Sequence, residues 1–230
     1  MSGQRRQFLS WLGASTLLAA MGRSASAQPS ERERANGVKG AARSPVSDEW
    51  DMSWVEKISG EARAVFDVPE AGEGEGVWRA ERWRDDYREV YGATPGDPTA
   101  VLVIRHEAIP LIMDNDYWKR FEVGRKLGIK DHDKKWAVAN PVSTAHDGAP
   151  TKSDRYTIQY FLANGGIVLA CNLAFLGRVV SEYGKRDDLS SADAYSRARE
   201  HILPGVILQP SGIFASLRAQ QAGCAYILAS

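Results

Sequence analysis

The sequence predicts one α/β domain built on a mostly parallel β-sheet with helices on both faces. Two continuous apolar runs, AVLVI at 100–104 and IVLA at 167–170, suit strands covered on both sides. Their order along the chain is the third observation. Strand-like runs alternate with helical periodicity four or five times, and parallel neighbours need such crossovers.

The elements follow in order. In ARAVFDV (62–68), Ala62, Ala64, Phe66 and Val68 share one side, the period of a half-buried strand. EAGEGEG (70–76) is a loop; it is acidic and lacks a lysine, so it does not resemble a phosphate-binding loop. Val77, Ala80, Trp83, Tyr87 and Tyr91 recur at helical spacing up to Gly92. Arg79, Arg82, Arg84 and Arg88 alternate with acids there and read as a solvated face. After AVLVI, a helix is expected from about Asn115 to Leu127, ended by Gly128. Residues 131–154 read as loop, with a short extended piece at 136–138.

A helix from Tyr156 to Ala163 leads through Asn164-Gly165-Gly166 into IVLA. Leu173, Leu176, Val180 and Tyr183 then mark a helix closed by Gly184. Ser191 is placed to cap a helix reaching about Ile202, which Leu203-Pro204-Gly205 breaks. VILQ (206–209) is the next strand. Ser211 caps a helix to Ala222, stopped by Gly223, and CAYIL (224–228) is the last strand. The tryptophans at 50, 54, 78, 83, 118 and 136 read as packing rather than as a ligand stack.

The chain opens MSGQRRQFLSWLGASTLLAAMGRSASAQPS. Arg5-Arg6 before an apolar stretch resembles a twin-arginine export signal, and Ala25-Ser26-Ala27 offers a cleavage site after Ala27. The apolar stretch, helical, rises only about 21 Å against a hydrocarbon core of roughly 30 Å. Residues 1–27 are therefore expected to be removed, leaving an exported, periplasmic protein with no stable membrane anchor. Residues 28–49 carry two large aliphatics amid charge, Gly and Pro, and read as a disordered spacer. Cleavage deletes three arginines and no acid, so 29 basic and 29 acidic side chains become 26 and 29, a net charge of −3. That balance argues against a nucleic-acid partner. The ordered part divides into a strand-helix extension at 50–98 and a domain at 99–230.

In an open parallel sheet, reactive groups gather beyond the carboxyl ends of the strands. Arg105 and His106 follow AVLVI; Cys171 and Asn172 follow IVLA; Ser211 follows VILQ. If Asn172 caps the next helix, its amide dipoles direct positive potential at Cys171 and favour a thiolate, the form in which cysteine is a nucleophile. Equally, free cysteine is among the most buried residue types, and Cys171 also reads as a small core hydrophobe. Ser211 lacks the G-x-S-x-G surround of a hydrolase elbow. His106, Glu107, His132, Asp133 and His146 show no tight ligand spacing, so neither metal nor other cofactor is expected. Two cysteines make no disulfide framework. Cys171 ends one parallel strand and Cys224 begins another, a gap of roughly 13–16 Å along the strands, where a disulfide needs about 7 Å. Two free thiols are expected, with Cys224 buried under the preceding helix.

VLVIRHEAI with its strand-end His, NGGIVLACNLAF with its strand-end Cys, and LPGVILQPSGIFASLRAQQAGCAYI occur in that order over about 99–227. This segment is similar to the DsrE/DsrF-like sulfur-relay family. The resemblance implies a parallel α/β sheet, a persulfide carried on Cys171, a sulfur-donor or acceptor protein as partner, and a homo-oligomer; His106, at the neighbouring strand end, is placed to assist Cys171. Substrate contacts are assigned to Arg105, Asn172 and Ser211. Three features differ from relay members: the export signal, the extra unit at 62–92, and the long 131–154 loop with His132 and His146. The competing reading is a non-catalytic periplasmic binding or assembly module in which Cys171 only packs.

Overall fold

The computed structural model describes residues 50–92, 98–143 and 155–230. The twin-arginine segment, the spacer and His146 lie outside them. Among the described residues five parallel strands form one sheet. These are β1 (Arg63–Val68), β2 (Thr99–Ile104), β3 (Ile167–Cys171), β4 (Ile207–Gln209) and β5 (Ala225–Leu228), in the order β4-β3-β2-β1-β5. The chain steps outward from β1 to β4, then returns across the sheet to place β5 beside β1. The α/β class expected from the alternation is the class observed.

The pleat sorts the strand residues into two cores. Phe66, Val68, Leu102, Ile104, Val168 and Ala170 face the larger one. It is covered by α1 (Glu75–Tyr91), α2 (Asn115–Arg120), α3 (Val123–Leu127), α4 (Ile158–Ala163), α5 (172–187) and α6 (Ser191–Arg199). Val65, Val101, Val103, Ile167 and Leu169 face the other core, closed by α7 (Gly212–Gln221) and Trp54 of a 3-10 turn. Helices thus cover both faces unequally, and a single long helix shields the second face beside the carboxyl rim.

Several local expectations are corrected. β1 is buried on both faces rather than one, because β2 and β5 flank it and α7 lies over its second side. The helix expected over 115–127 is two, α2 and α3, broken where Glu122 takes a left-handed conformation (φ 50°). The α6 cap is Ser190, whose oxygen accepts from Asp193 N–H, and α6 ends at Arg199. Arg84 is not part of a solvated face. It is fully buried with Glu81, reaches the Asn164 carbonyl at the end of α4, and lies over the Phe161 ring. Trp78 and Trp136 are exposed, Trp78 against Tyr156 and Trp136 beneath the Lys130 ammonium.

α5 departs most from expectation. It runs on through Gly184 to Asp187, and its middle, Phe175–Val180, is a π-helix. The wider turn places Phe175, Val179, Val180 and Tyr183 in the core. Leu173 and Leu176, expected on the buried stripe, face outward instead.

Candidate functional site

Three strand ends build one rim. The β2 end is hooked onto β1: Arg105 N–H donates to Val68 O, and the N–H groups of Glu107 and Ala108 both donate to Pro69 O. This turn needs His106 in the left-handed region, φ 53°, a conformation that costs an L-residue roughly 1–2 kcal/mol. Such strain persists only where the surroundings over-determine it. Here three backbone hydrogen bonds and one ion pair do so. The result is an exposed His106 at the rim.

The ion pair is Arg105–Asp67. Arg105 Nε and Nη2 donate to the two oxygens of Asp67 at 2.7 and 2.8 Å, and the Tyr226 hydroxyl donates to the same carboxylate at 2.6 Å. Asp67 is buried, while the Arg105 side chain keeps 27% of its exposure. The Asp67 bond holds the Arg105 guanidinium protonated further above its ordinary range, and it raises the Tyr226 phenol too. Strand periodicity does not single out Asp67; its signal in the sequence is a lone carboxylate inside an apolar strand, which must find a partner when buried.

β3 ends on Cys171, and the helix cap expected from Asn172 belongs to Cys171 itself. Cys171 has extended backbone, and its Sγ accepts the Ala174 N–H at 3.4 Å. Asn172 is instead the first helical residue, with its Oδ1 held by the Tyr195 hydroxyl at 3.3 Å. From β4 the chain turns at Ser211, which caps α7 as expected: Ser211 Oγ accepts from Phe214 N–H at 3.1 Å.

These ends enclose a cleft of about 630 Å³. Arg105, His106, Cys171 and Ser211 line it, so four of the residues read from the sequence meet in one place; Asn172 is not among its walls. Leu173, Ala174 and Ile213 form apolar walls, and Gly177 and Gly212 leave them open. A Cβ on Gly212 would lie 2.6 Å from Arg105 Cδ, so only glycine lets that side chain lie along the start of α7. Arg178, which no strand end marks, also lines the cleft and pairs with Glu107 at 2.8 Å. It stands seven residues, about two helical turns, after Cys171, a spacing that signals a shared face.

Cys224 has a different setting. It packs with Ala215 and Ala219 of α7 in the second core, and burial pushes its thiol up, against a smaller opposing effect of Arg63. Both cysteines are free thiols. His132 is exposed beside Asp133, and His201 pairs with Asp114 at 2.9 Å. Among the described residues no three His, Cys, Asp or Glu side chains gather as a metal site, and no helix is long and apolar enough to cross a membrane.

No protein-family model and no curated protein matches the chain. The functional reading therefore rests on the cleft.

Proposed function

We propose that this is an exported, DsrE-like thiol protein that carries sulfur on Cys171. One observation supports it above the rest: Cys171 Sγ takes a helix-start amide N–H at the wall of an open cleft that also holds Arg105 and His106. That N–H orients the sulfur toward the start of the helix, and a thiolate in this place would be the nucleophile. In the proposed cycle the Cys171 thiolate attacks the outer sulfur of a donor persulfide, R–S–SH. The S–S bond breaks, R–S⁻ leaves with the electron pair, and Cys171–S–SH remains. An acceptor thiolate then takes the outer sulfur in the same way. His106 moves the proton between incoming and leaving sulfur. The donor or acceptor is a protein, the carrier is a homo-oligomer, and the compartment is the periplasm.

A second reading has its own observation. Cys171 keeps only 7% of its exposure, close to the 6% of Cys224, as a packing cysteine in a non-catalytic binding module would. Alkylation of the native protein with iodoacetamide at neutral pH, followed by peptide mass mapping, separates the two. Sulfur transfer requires Cys171 to label well before Cys224. Labelling of Cys171 only in denaturant would establish the binding module.

A further inference from the structure

The residues around the cleft form an unusual electrostatic set. Arg105, His106 and Arg178 line it, and no carboxylate does. The acids that balance them stand back from its walls. Asp67 lies buried behind Arg105, and Glu107 is exposed outside, paired with Arg178. Beside Cys171 and Ser211, whose oxygen caps α7, the remaining walls are apolar or bare: Leu173, Ala174 and Ile213 with two glycines. A cleft of this size suits a small molecule. Its chemistry asks for one that carries an anionic head and an apolar body.

We infer that the cleft takes an organic thiosulfonate anion, R–SO₂–S⁻ with a small apolar R, as a sulfur donor to Cys171. This deepens the sulfur-transfer reading and rests on it. The Cys171 thiolate attacks the outer sulfur, the S–S bond of the thiosulfonate breaks, and the sulfinate R–SO₂⁻ leaves with the electron pair. Cys171–S–S⁻ is formed, so two negative charges enter and two remain. No oxidant or reductant is consumed. The step brings two anions together, and like charges in a partly desolvated site repel strongly. Cations placed around the encounter are what such a reaction needs. Arg178 can turn toward the oxygens from the exposed wall, and Arg105 keeps N–H groups beyond the two that Asp67 takes. R lies on Leu173 and Ile213.

The full chain is incubated with sodium benzenethiosulfonate, and Cys171 peptides and released benzenesulfinate are measured together. Addition of one sulfur atom to Cys171 with one equivalent of sulfinate is expected, and benzenesulfonate, which has no transferable sulfur, should slow it by competition. Arg178→Gln should lower the loading rate roughly tenfold and Arg178→Lys should retain most of it, as for loss and retention of one close charge. Arg178 is an exposed side chain, so neither variant threatens the fold. Loading that ignores both benzenesulfonate and Arg178→Gln would overturn the site. If iodoacetamide labels native Cys171 but benzenethiosulfonate transfers no sulfur, the donor class is overturned and the carrier role stands. If neither reagent reaches Cys171, both readings fall.

Discussion

Arg105 grips the Asp67 carboxylate with two N–H groups, and that grip ties the end of β2 to β1 immediately before His106. The pair lies at the boundary of the core: Asp67 is buried, and Arg105 is partly wet. Asp67→Asn removes the charge, one of the two guanidinium bonds and the acceptor shared with Tyr226. Breaking a fully buried pair costs about 3–5 kcal/mol, and solvent at Arg105 lowers the expectation here to about 2 kcal/mol. Urea unfolding of the variant measures it. A change below about 0.5 kcal/mol, the usual range of a surface substitution, would show that the pair does not hold the rim.

Gly212 tests the same contact from the other side. In Gly212→Ala the new methyl would meet Arg105 Cδ at 2.6 Å, and overpacking of this kind costs about 1–3 kcal/mol. The guanidinium must swing away, so Cys171 alkylation should change its salt dependence along with the loss of stability. An unchanged urea midpoint would mean that Arg105 relaxes freely and that the glycine is incidental.

His106 is expected to trade stability for chemistry. His106→Gly relieves the left-handed strain at φ 53°. The gain should be up to about 1 kcal/mol after the added freedom of the unfolded glycine is subtracted. The same variant should slow sulfur loading of Cys171. Lower stability in the variant would show that the imidazole itself anchors the turn.

The sheet and the site differ in how far they can be read from sequence. AVLVI and IVLA identify themselves because a strand covered on both faces must be apolar throughout, and Gly92, Gly128 and Gly223 mark helix ends through their left-handed or positive φ. Parallel topology alone then brings Arg105, His106, Cys171 and Ser211 to one rim. What was hidden depends on contacts between distant segments. The π turn at Phe175–Val180 is set by how Phe175, Val179 and Tyr183 seat against the core, and helical spacing counted at 3.6 residues misplaces Leu173 and Leu176. Arg84 looks like a surface arginine until the Asn164 carbonyl and the Phe161 ring are placed over it. Cys171 rather than Asn172 is the cap because the helix already begins at Asn172, whose side chain is held by Tyr195, 23 positions later.

Export is expected to depend on the arginine pair in MSGQRRQFL. With Arg5→Lys and Arg6→Lys together, a twin-arginine substrate should stay in the cytoplasm with its first 27 residues attached. Fractionation with mass measurement of the N-terminus reads both. Unchanged export would remove the periplasmic assignment.

Glu81 offers a test by pH. Its side chain is buried beside Arg84 at 3.0 Å, and one carboxylate oxygen and Arg84 Nε have no hydrogen-bond partner. Burial is the larger influence and raises the carboxyl above its ordinary value; the Arg84 charge opposes it less strongly. The folded protein therefore holds the proton to higher pH than the unfolded chain. Such a group contributes its stability below the ordinary glutamate value and loses it as pH rises through the raised folded value. Glu81→Gln removes that titration and keeps the shape. The difference in unfolding free energy, wild type minus Glu81→Gln, should fall as pH rises from about 4 through the upper carboxylate range. A difference that rises over this window would mean that Arg84 stabilises the carboxylate more than burial penalises it. The Glu81–Arg84 pair within α1 would then be a true ion pair rather than a buried acid beside a cation held by a carbonyl and a ring.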